Sequence, residues 1–320
     1  MIAMRKELLL ISVLLFVCTA IFAQGDFKLS EQMFSRINQN PAAIGNNEKL
    51  QIFTAGRMQY VGLGLEQSPT SALLNGHYYN EKLKSGFGLS FTYDELGLYN
   101  QTINAKICYA YNIDLFDGGL LSLGLSAGVV NKIFDPERHI WRDNGDPLDT
   151  QTEKTNTTAF DLDFGFEFSY KYLLVGASIT HLPGITQDVR TTAAPSHINA
   201  YVRGNIPLPE KFYLIPAFTY TNIGACNLGK LISGEYSEVL SIGQEHVMDL
   251  SMTAVYDGKY WLGVGYRINS AVSIMAGFEW QWLRIGYCYD VSVGPAWSLT
   301  SSTHEVMLSF AIPTKKPVTW

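Results

Sequence analysis

Residues able to do chemistry are few in this chain and widely spaced. Ser196 is followed directly by His197, but neighbours in a strand point to opposite faces, so the two cannot act as nucleophile and base. The six histidines show no His-Glu-x-x-His spacing for zinc. Asp143-Asn144-Gly145-Asp146 and Asp149 gather oxygen donors in one connection. Calcium needs several such ligands, but the EF-hand spacing is not met, and Asp-Asn-Gly is an ordinary turn signal. The turn is the reading adopted, so no metal, no cofactor and no catalysis are expected. Trp141 lies in the same connection with Arg138 and Arg142. An aromatic beside arginine is a candidate protein-binding anchor, or the Trp packs the loop. The remaining charges recur at alternate positions of apolar segments: Lys106, Asp161, Asp163, Glu167, Arg203, Asp249, Arg267, Arg284, Asp290 and Glu305.

That alternation identifies the elements that carry these charges. In residues 159–171, Phe160, Leu162, Phe164, Phe166, Phe168 and Tyr170 form one face, and Asp161, Asp163, Gly165, Glu167, Ser169 and Lys171 the other. A period of two is that of a strand with one apolar and one polar face. Tyr260, Leu262, Val264 and Tyr266 oppose Lys259, Trp261, Gly263, Gly265 and Arg267 in the same way. Fourteen such segments are expected, near 50–61, 70–79, 85–94, 101–113, 119–134, 157–170, 172–181, 196–206, 211–222, 244–256, 259–268, 271–279, 282–292 and 303–312. Many run to about ten residues, the length a tilted strand needs to cross a bilayer.

Composition and targeting agree with a membrane barrel. Charged residues make up 16% of the 320, against roughly 25% in soluble domains. Mean hydropathy is nevertheless only +0.04, too low for a bundle of apolar helices. The net charge of −6 gives no basic surplus for a nucleic-acid partner. Arg5 and Lys6 precede the apolar run Leu8 to Phe22, and Ala23 then meets Gln24-Gly25-Asp26. This is the pattern of a signal peptide cut after Ala23. Of the cysteines, Cys108, Cys226 and Cys288 follow that cut, an odd number without metal-type spacing.

The connections alternate in length. The first, third, fifth, seventh, ninth and thirteenth are mostly long and the even-numbered ones short, while the eleventh, near Ile268–Ala271, is short and breaks the alternation. Short periplasmic turns and longer outer loops are the habit of outer-membrane barrels, which also use an even strand number. In lipid an open sheet edge leaves backbone groups unsatisfied, so the sheet must close. Tyr78, Tyr79, Tyr109, Tyr111, Trp280 and Trp282 sit at strand ends, as expected of interfacial belts. The expected organisation is a signal peptide over 1–23, a periplasmic or plug segment over 24–48, and an all-β transmembrane antiparallel barrel over 49–320. Within the second part, Ser30 before Glu31-Gln32-Met33-Phe34 reads as a short capped helix, and Asn40-Pro41 as a turn. Inside the barrel, the charged set either lines a route or holds a plug or client, or it forms ion pairs that fill the interior.

Several motifs resemble, in order, those of the PorP/SprF family of type IX secretion outer-membrane proteins. They are Gln32-Met33-Phe34, Asn38-Gln39-Asn40-Pro41-Ala42-Ala43-Ile44-Gly45 and Arg57-Met58-Gln59-Tyr60-Val61-Gly62, where Tyr60 replaces the usual Trp. Gly86 to Gly97, His181-Leu182, Leu283 to Asp290 and His304 to Leu308 continue the series. The resemblance implies an integral outer-membrane component of type IX secretion. Its partners would be a secreted adhesin or effector C-terminal domain, the periplasmic secretion and gliding machinery, and outer-membrane lipid. Asn40, Pro41, Ala42 and Gly45 are the candidate plug or entry motif. The alternatives are a transporter of hydrophobic small molecules, in which Asn40-Pro41-Ala42 belongs to a hatch, and a porin.

Overall fold

The computed structural model describes residues 28–32, 34–45, 48–61, 68–96, 100–116, 118–135, 154–182, 196–224, 245–293 and 302–313. The first strands are β1 (Glu48–Val61), β2 (Thr70–Asn80), β3 (Ser85–Leu96), β4 (Asn100–Phe116) and β5 (Gly119–Phe134). Next come β6 (Thr155–Tyr170), β7 (Leu173–Thr180), β8 (His197–Gly204), the two-residue β9 (Ile206–Pro207) and β10 (Phe212–Ile223). The last are β11 (Glu245–Tyr256), β12 (Tyr260–Arg267), β13 (Ala271–Trp280), β14 (Leu283–Ser292) and β15 (Ser302–Pro313). Each full strand pairs antiparallel with its sequence neighbours, β10 bridging β8 and β11. Pairing of β1 with β15, through Gln51↔Ala311 to Met58↔His304, closes the sheet into a barrel of fourteen strands. β9 only continues the β8 edge along β10.

The fourteen expected segments are all present as strands, shifted by a few residues at their ends. One connection differs. The third, grouped with the long ones, has only three residues, because β3 and β4 pair out to Leu96↔Asn100. Gln101 Nε2 donates to Glu95 Oε1 at 3.1 Å across that extension.

The burial pattern is inverted relative to a soluble protein. Leu89, Ile107, Leu125, Phe160, Leu262 and Val264 are exposed, while Ser90, Ser122, Asp163, Asn199 and Glu305 are buried. Apolar side chains face out toward lipid and polar ones face in, as closure in a bilayer requires. The outward aromatics Tyr78, Trp280 and Trp282 are exposed near strand ends, and Tyr111 lies opposite Ser85 at the start of β3; Tyr109 is exposed too, but β4 runs on to Phe116 and leaves it mid-strand. Tyr79 is not one of them. It is buried and points inward against Gly45 and Gly86, because it has the opposite parity to Tyr78.

The interior is occupied by the chain's own residues 28–45. Their partners lie on β1, β2, β4, β6, β7, β8, β10, β12, β14 and β15, at inward positions. Only the lumen touches so many strands at once. Lys28 lies beside Arg57, toward the end with the longer connections. Gly45 lies beside Tyr79, at the short-turn end where β1 begins. The segment therefore crosses the lumen before the chain enters the wall. Leu29 and Phe34 pack inside with Phe53, Leu73, Ile215, Val255, Trp261 and Met307, and Ile37 and Ile44 pack with Cys108 and Ala110. Fully burying each such side chain contributes about 1.5–3 kcal/mol.

The expected helix at Ser30 does not form. The Ser30 and Glu31 amides donate instead to Glu305, at 3.0–3.1 Å, and Ser30 Oγ donates to Asp290. Wall carboxylates thus take the donors that a local cap would have satisfied. Among its described residues, the only regular element of the segment is a single 3-10 turn, Pro41–Ala43, capped by Asn40.

Candidate functional site in the barrel lumen

All ten charged residues selected from strand parity face the lumen. Lys106, Asp161, Asp163, Glu167, Arg203, Asp290 and Glu305 are buried, and Asp249, Arg267 and Arg284 half-buried. They do not form one site. Nine of them divide among three buried clusters and two smaller pairs, and Arg203 is buried on β8.

The first cluster joins β4, β5 and β6. Lys106 Nζ lies 2.9 Å from Asp161 Oδ2 and 2.8 Å from Asp163 Oδ2. His181 Nδ1 lies 2.7 Å from Asp161, and the His181 amide donates to Asp163 at 3.0 Å. Asp161, Asp163 and His181 have metal-type donors within 4.8 Å of one another. The Lys106 ammonium occupies the position beside both carboxylates and supplies the positive charge there. Ser126 Oγ donates to Asp163 at 2.5 Å. Gly124-Leu125-Ser126-Ala127-Gly128 carries the Gly-x-Ser-x-Gly spacing of a hydrolase elbow. That motif needs a sharp strand-to-helix turn, and here it lies within β5, with Ser126 held by a paired carboxylate.

The second cluster ties the N-terminal segment to the barrel seam. Arg57 on β1 lies 2.8 Å from Asp290 on β14 and 3.1 Å from Glu305 on β15. Arg57 also donates to the Lys28 carbonyl and to Ser30 Oγ. Trp261 Nε1 donates to Glu31 Oε1 at 3.2 Å. Burial pushes the Glu31 carboxyl up to about 8, helped by the charge of Glu305 and opposed by the Trp261 hydrogen bond.

The third cluster holds the middle of the segment against β6–β8. Arg36 Nε and Nη2 reach Glu167 at 3.0 and 3.1 Å, a forked contact of the strong, charge-assisted kind. Tyr201 donates its hydroxyl to the same carboxylate. Asn40 Nδ2 donates to Tyr201 Oη and to the Phe166 carbonyl, both at 2.9 Å, while Asn40 Oδ1 accepts from the Ala42 amide at 2.9 Å. Ser178 Oγ donates to the Gln39 carbonyl at 2.5 Å. Elsewhere Arg267 pairs with Asp249 at 2.7 Å and Arg284 with Glu279 at 2.5 Å.

Asn40, Pro41 and Ala42 are buried, and wall glycines admit them. A Cβ on Gly124 would lie 2.1 Å from the Ala42 nitrogen, and one on Gly165 2.1 Å from Asn40 Oδ1. Gly45 takes φ +86° against the Tyr79 ring, a backbone conformation that favours glycine. Arg138, Trp141, Arg142 and the acidic turn after them lie outside the described residues, as does Cys226. Cys108 and Cys288 are buried free thiols.

Arg57, Arg36, Glu31, Tyr201 and His181 were not among the candidates. Arg57 has the inward parity, but its inner neighbours are Phe53 and Ala55, so β1 lacks a uniformly polar face. Arg36 and Glu31 belong to a segment without period, so no sequence signal places them.

A closed antiparallel sheet, apolar outside and polar within, defines an outer-membrane barrel. The family model described as type IX secretion system membrane protein PorP/SprF matches residues 21–310, and the chain belongs to that family. No curated relative matches it. Among solved structures, the CymD monoaromatic hydrocarbon channel is similar over 92% of this chain and 96% of its own, at 11% identity and TM-score 0.49. A Pseudomonas aeruginosa FadL homologue is similar over 86% of this chain and 92% of its own, at 11% identity and TM-score 0.46. Omp33 of Acinetobacter baumannii is similar over 84% of this chain and 100% of its own, at 10% identity and TM-score 0.41.

Proposed function

We propose that this barrel is a non-catalytic, non-conducting outer-membrane component of type IX secretion. It binds an exported adhesin or its C-terminal domain at the long-loop end and meets the periplasmic machinery at the short-turn end. Residues 28–45 act as its stopper. The observation that carries this reading is the seating of that segment across the lumen, on Glu305, Glu167 and Tyr201. A barrel filled by its own chain offers partners its two ends rather than a diffusion path. The membership of the PorP/SprF family supports the secretion setting. A route for hydrophobic molecules fits less well, because residues 28–45 cover the apolar part of the inward wall around Phe53 and Trp261, and much of the rest carries charged and hydroxyl side chains.

The test is a mild-detergent pull-down of the tagged protein from native outer membranes, with companions identified by mass spectrometry. A secreted adhesin or periplasmic secretion components recovered in stoichiometric amount support the reading. A solitary barrel from a secreting strain overturns it.

A further inference from the structure

Strand pairing runs right round the barrel, but the strands reach different heights at the long-loop end. There β6 pairs with β5 along its whole length, from Phe134↔Thr155 to Gly119↔Tyr170. Its other neighbour is shorter. Pairing with β7 stops at Phe164↔Ile179, and the last bond on that side runs from the Leu182 amide to the Leu162 carbonyl at 2.8 Å. His181, at φ +55°, follows the end of β7. Residues 155–160 therefore have one side paired with β5, and no other strand among the described residues takes up the second side. A strand residue sends its N–H and C=O to the same side, and the sides alternate. The Leu162 carbonyl marks the open side, so Asn156, Thr158 and Phe160 direct their backbone groups there. Thr155, Thr157 and Ala159 face Phe134, Lys132 and Val130 of β5.

Lipid does not tolerate such an edge, and the outward side chains change at the same height. Phe160 and Phe164 are exposed below, and Asn156 and Thr158 above. Asn131 Nδ2 donates to Asn156 Oδ1 at 2.6 Å and to Thr158 Oγ1 at 2.7 Å, which keeps this upper face an amide and hydroxyl ladder. The edge thus stands in water at the outer mouth. Sheets usually blunt an exposed edge with lysine, proline or a bulge. Residues 155–160 contain no charge and no proline, and their register with β5 is unbroken. Their threonines favour the extended state. Lys154, just before them, is paired with Asp135 at 2.8 Å.

We infer that this edge docks an exported protein, which adds one extended segment to β6 as a further strand, bonded to the main chain of Asn156, Thr158 and Phe160. Main-chain bonds supply affinity in this mode, and same-face neighbours supply selectivity. The added strand carries an apolar side chain beside Phe160 and polar ones beside Asn156 and Thr158. A second copy of this chain does not fit. Copies in one membrane run β6 in the same direction, so their edges meet parallel. Parallel bonds are slanted rather than exchanged between opposite residues, whereas a two-fold contact is self-complementary. This role for the edge rests on the proposed binding of an exported protein at the long-loop end, and states where and how that protein is held.

The first arm of the experiment is amide hydrogen exchange of the intact protein in detergent, read residue by residue. The amides of Asn156, Thr158 and Phe160 should exchange much faster than those of Thr155, Thr157 and Ala159. Equal protection would mean that the chain covers its own edge, and overturns the site. The second arm uses the exported companion recovered from native outer membranes. Its presence should slow the three fast amides. Thr158→Pro removes a donor from the open side alone, a position where an edge strand accepts proline. It should lower recovery of the companion at least about tenfold, the equivalent of about 1.4 kcal/mol. Asn156→Pro serves the same purpose if Thr158→Pro does not fold. Lys84→Met, in an exposed turn pair at the opposite end, should recover the companion as the parent does. A folded Thr158→Pro barrel that keeps its companion, or three amides that stay fast in the complex, overturns the edge and leaves the general reading standing. A parent barrel without an exported companion overturns both.

Discussion

Arg57 joins the first strand, the last two strands and the N-terminal segment through one side chain. Replacing it by Leu leaves Asp290 and Glu305 buried without that cation. Breaking a buried pair from one side costs about 3–5 kcal/mol. The exposed Lys84–Asp114 pair should be worth about 0–1 kcal/mol on removal. Denaturant unfolding in detergent compares the two, and equal losses would contradict a buried clamp at the seam. Glu31 gives a separate, signed expectation. Its folded pKa of about 8 exceeds the ordinary 4.5, so the folded chain holds the proton more tightly than the unfolded one. Its contribution is complete below about 4.5 and is lost as pH rises toward about 8. Glu31→Gln should flatten that part of the stability profile, and an unchanged slope would place its origin elsewhere.

The strands were legible from sequence because lipid outside and a polar lumen inside impose opposite chemistry on alternate residues. β6, with its run from Phe160 to Tyr170, shows this most clearly. β1 shows where it fails: Phe53 faces inward because residues 28–45 cover it. The path of that segment was not legible, since its order comes from distant wall partners rather than from a local period. Ser30 followed a capping pattern, yet Glu305 and Asp290 took its donors. Tyr79 was misplaced because a position near a strand end says nothing of parity. Two expectations belong to elements. Phe164→Arg on the outer face of β6 should cost about 2–4 kcal/mol at mid-depth, whereas Phe164→Leu should cost much less. Both are read from the assembled fraction in membranes, and matching yields would mean the faces are misassigned. Gly124→Leu drives a side chain into the Ala42 backbone. It should unseat the segment and expose it to protease while the barrel stays folded. Gly56→Ala, with open space at its Cβ, is the matched control; identical digestion of the two variants would show that the wall does not hold the segment.

As a whole, the molecule is a sheet closed on itself and filled by the stretch of chain that precedes its first strand. The wall satisfies its backbone through continuous pairing from β1 round to β15. The interior satisfies its charges through three clusters, two of which grip residues 28–45. In the proposed function, the molecule's surfaces for partners are its two ends. Assignment to type IX secretion comes from the family, which physical patterning alone could not name. The most direct test of this account is the electrical conductance of the intact protein in a planar bilayer. A filled lumen predicts no lasting ohmic channel from the parent protein, and stable channels from Gly124→Leu once the segment is displaced. A stable open channel from the parent protein would contradict a stoppered barrel and return the molecule to the porins.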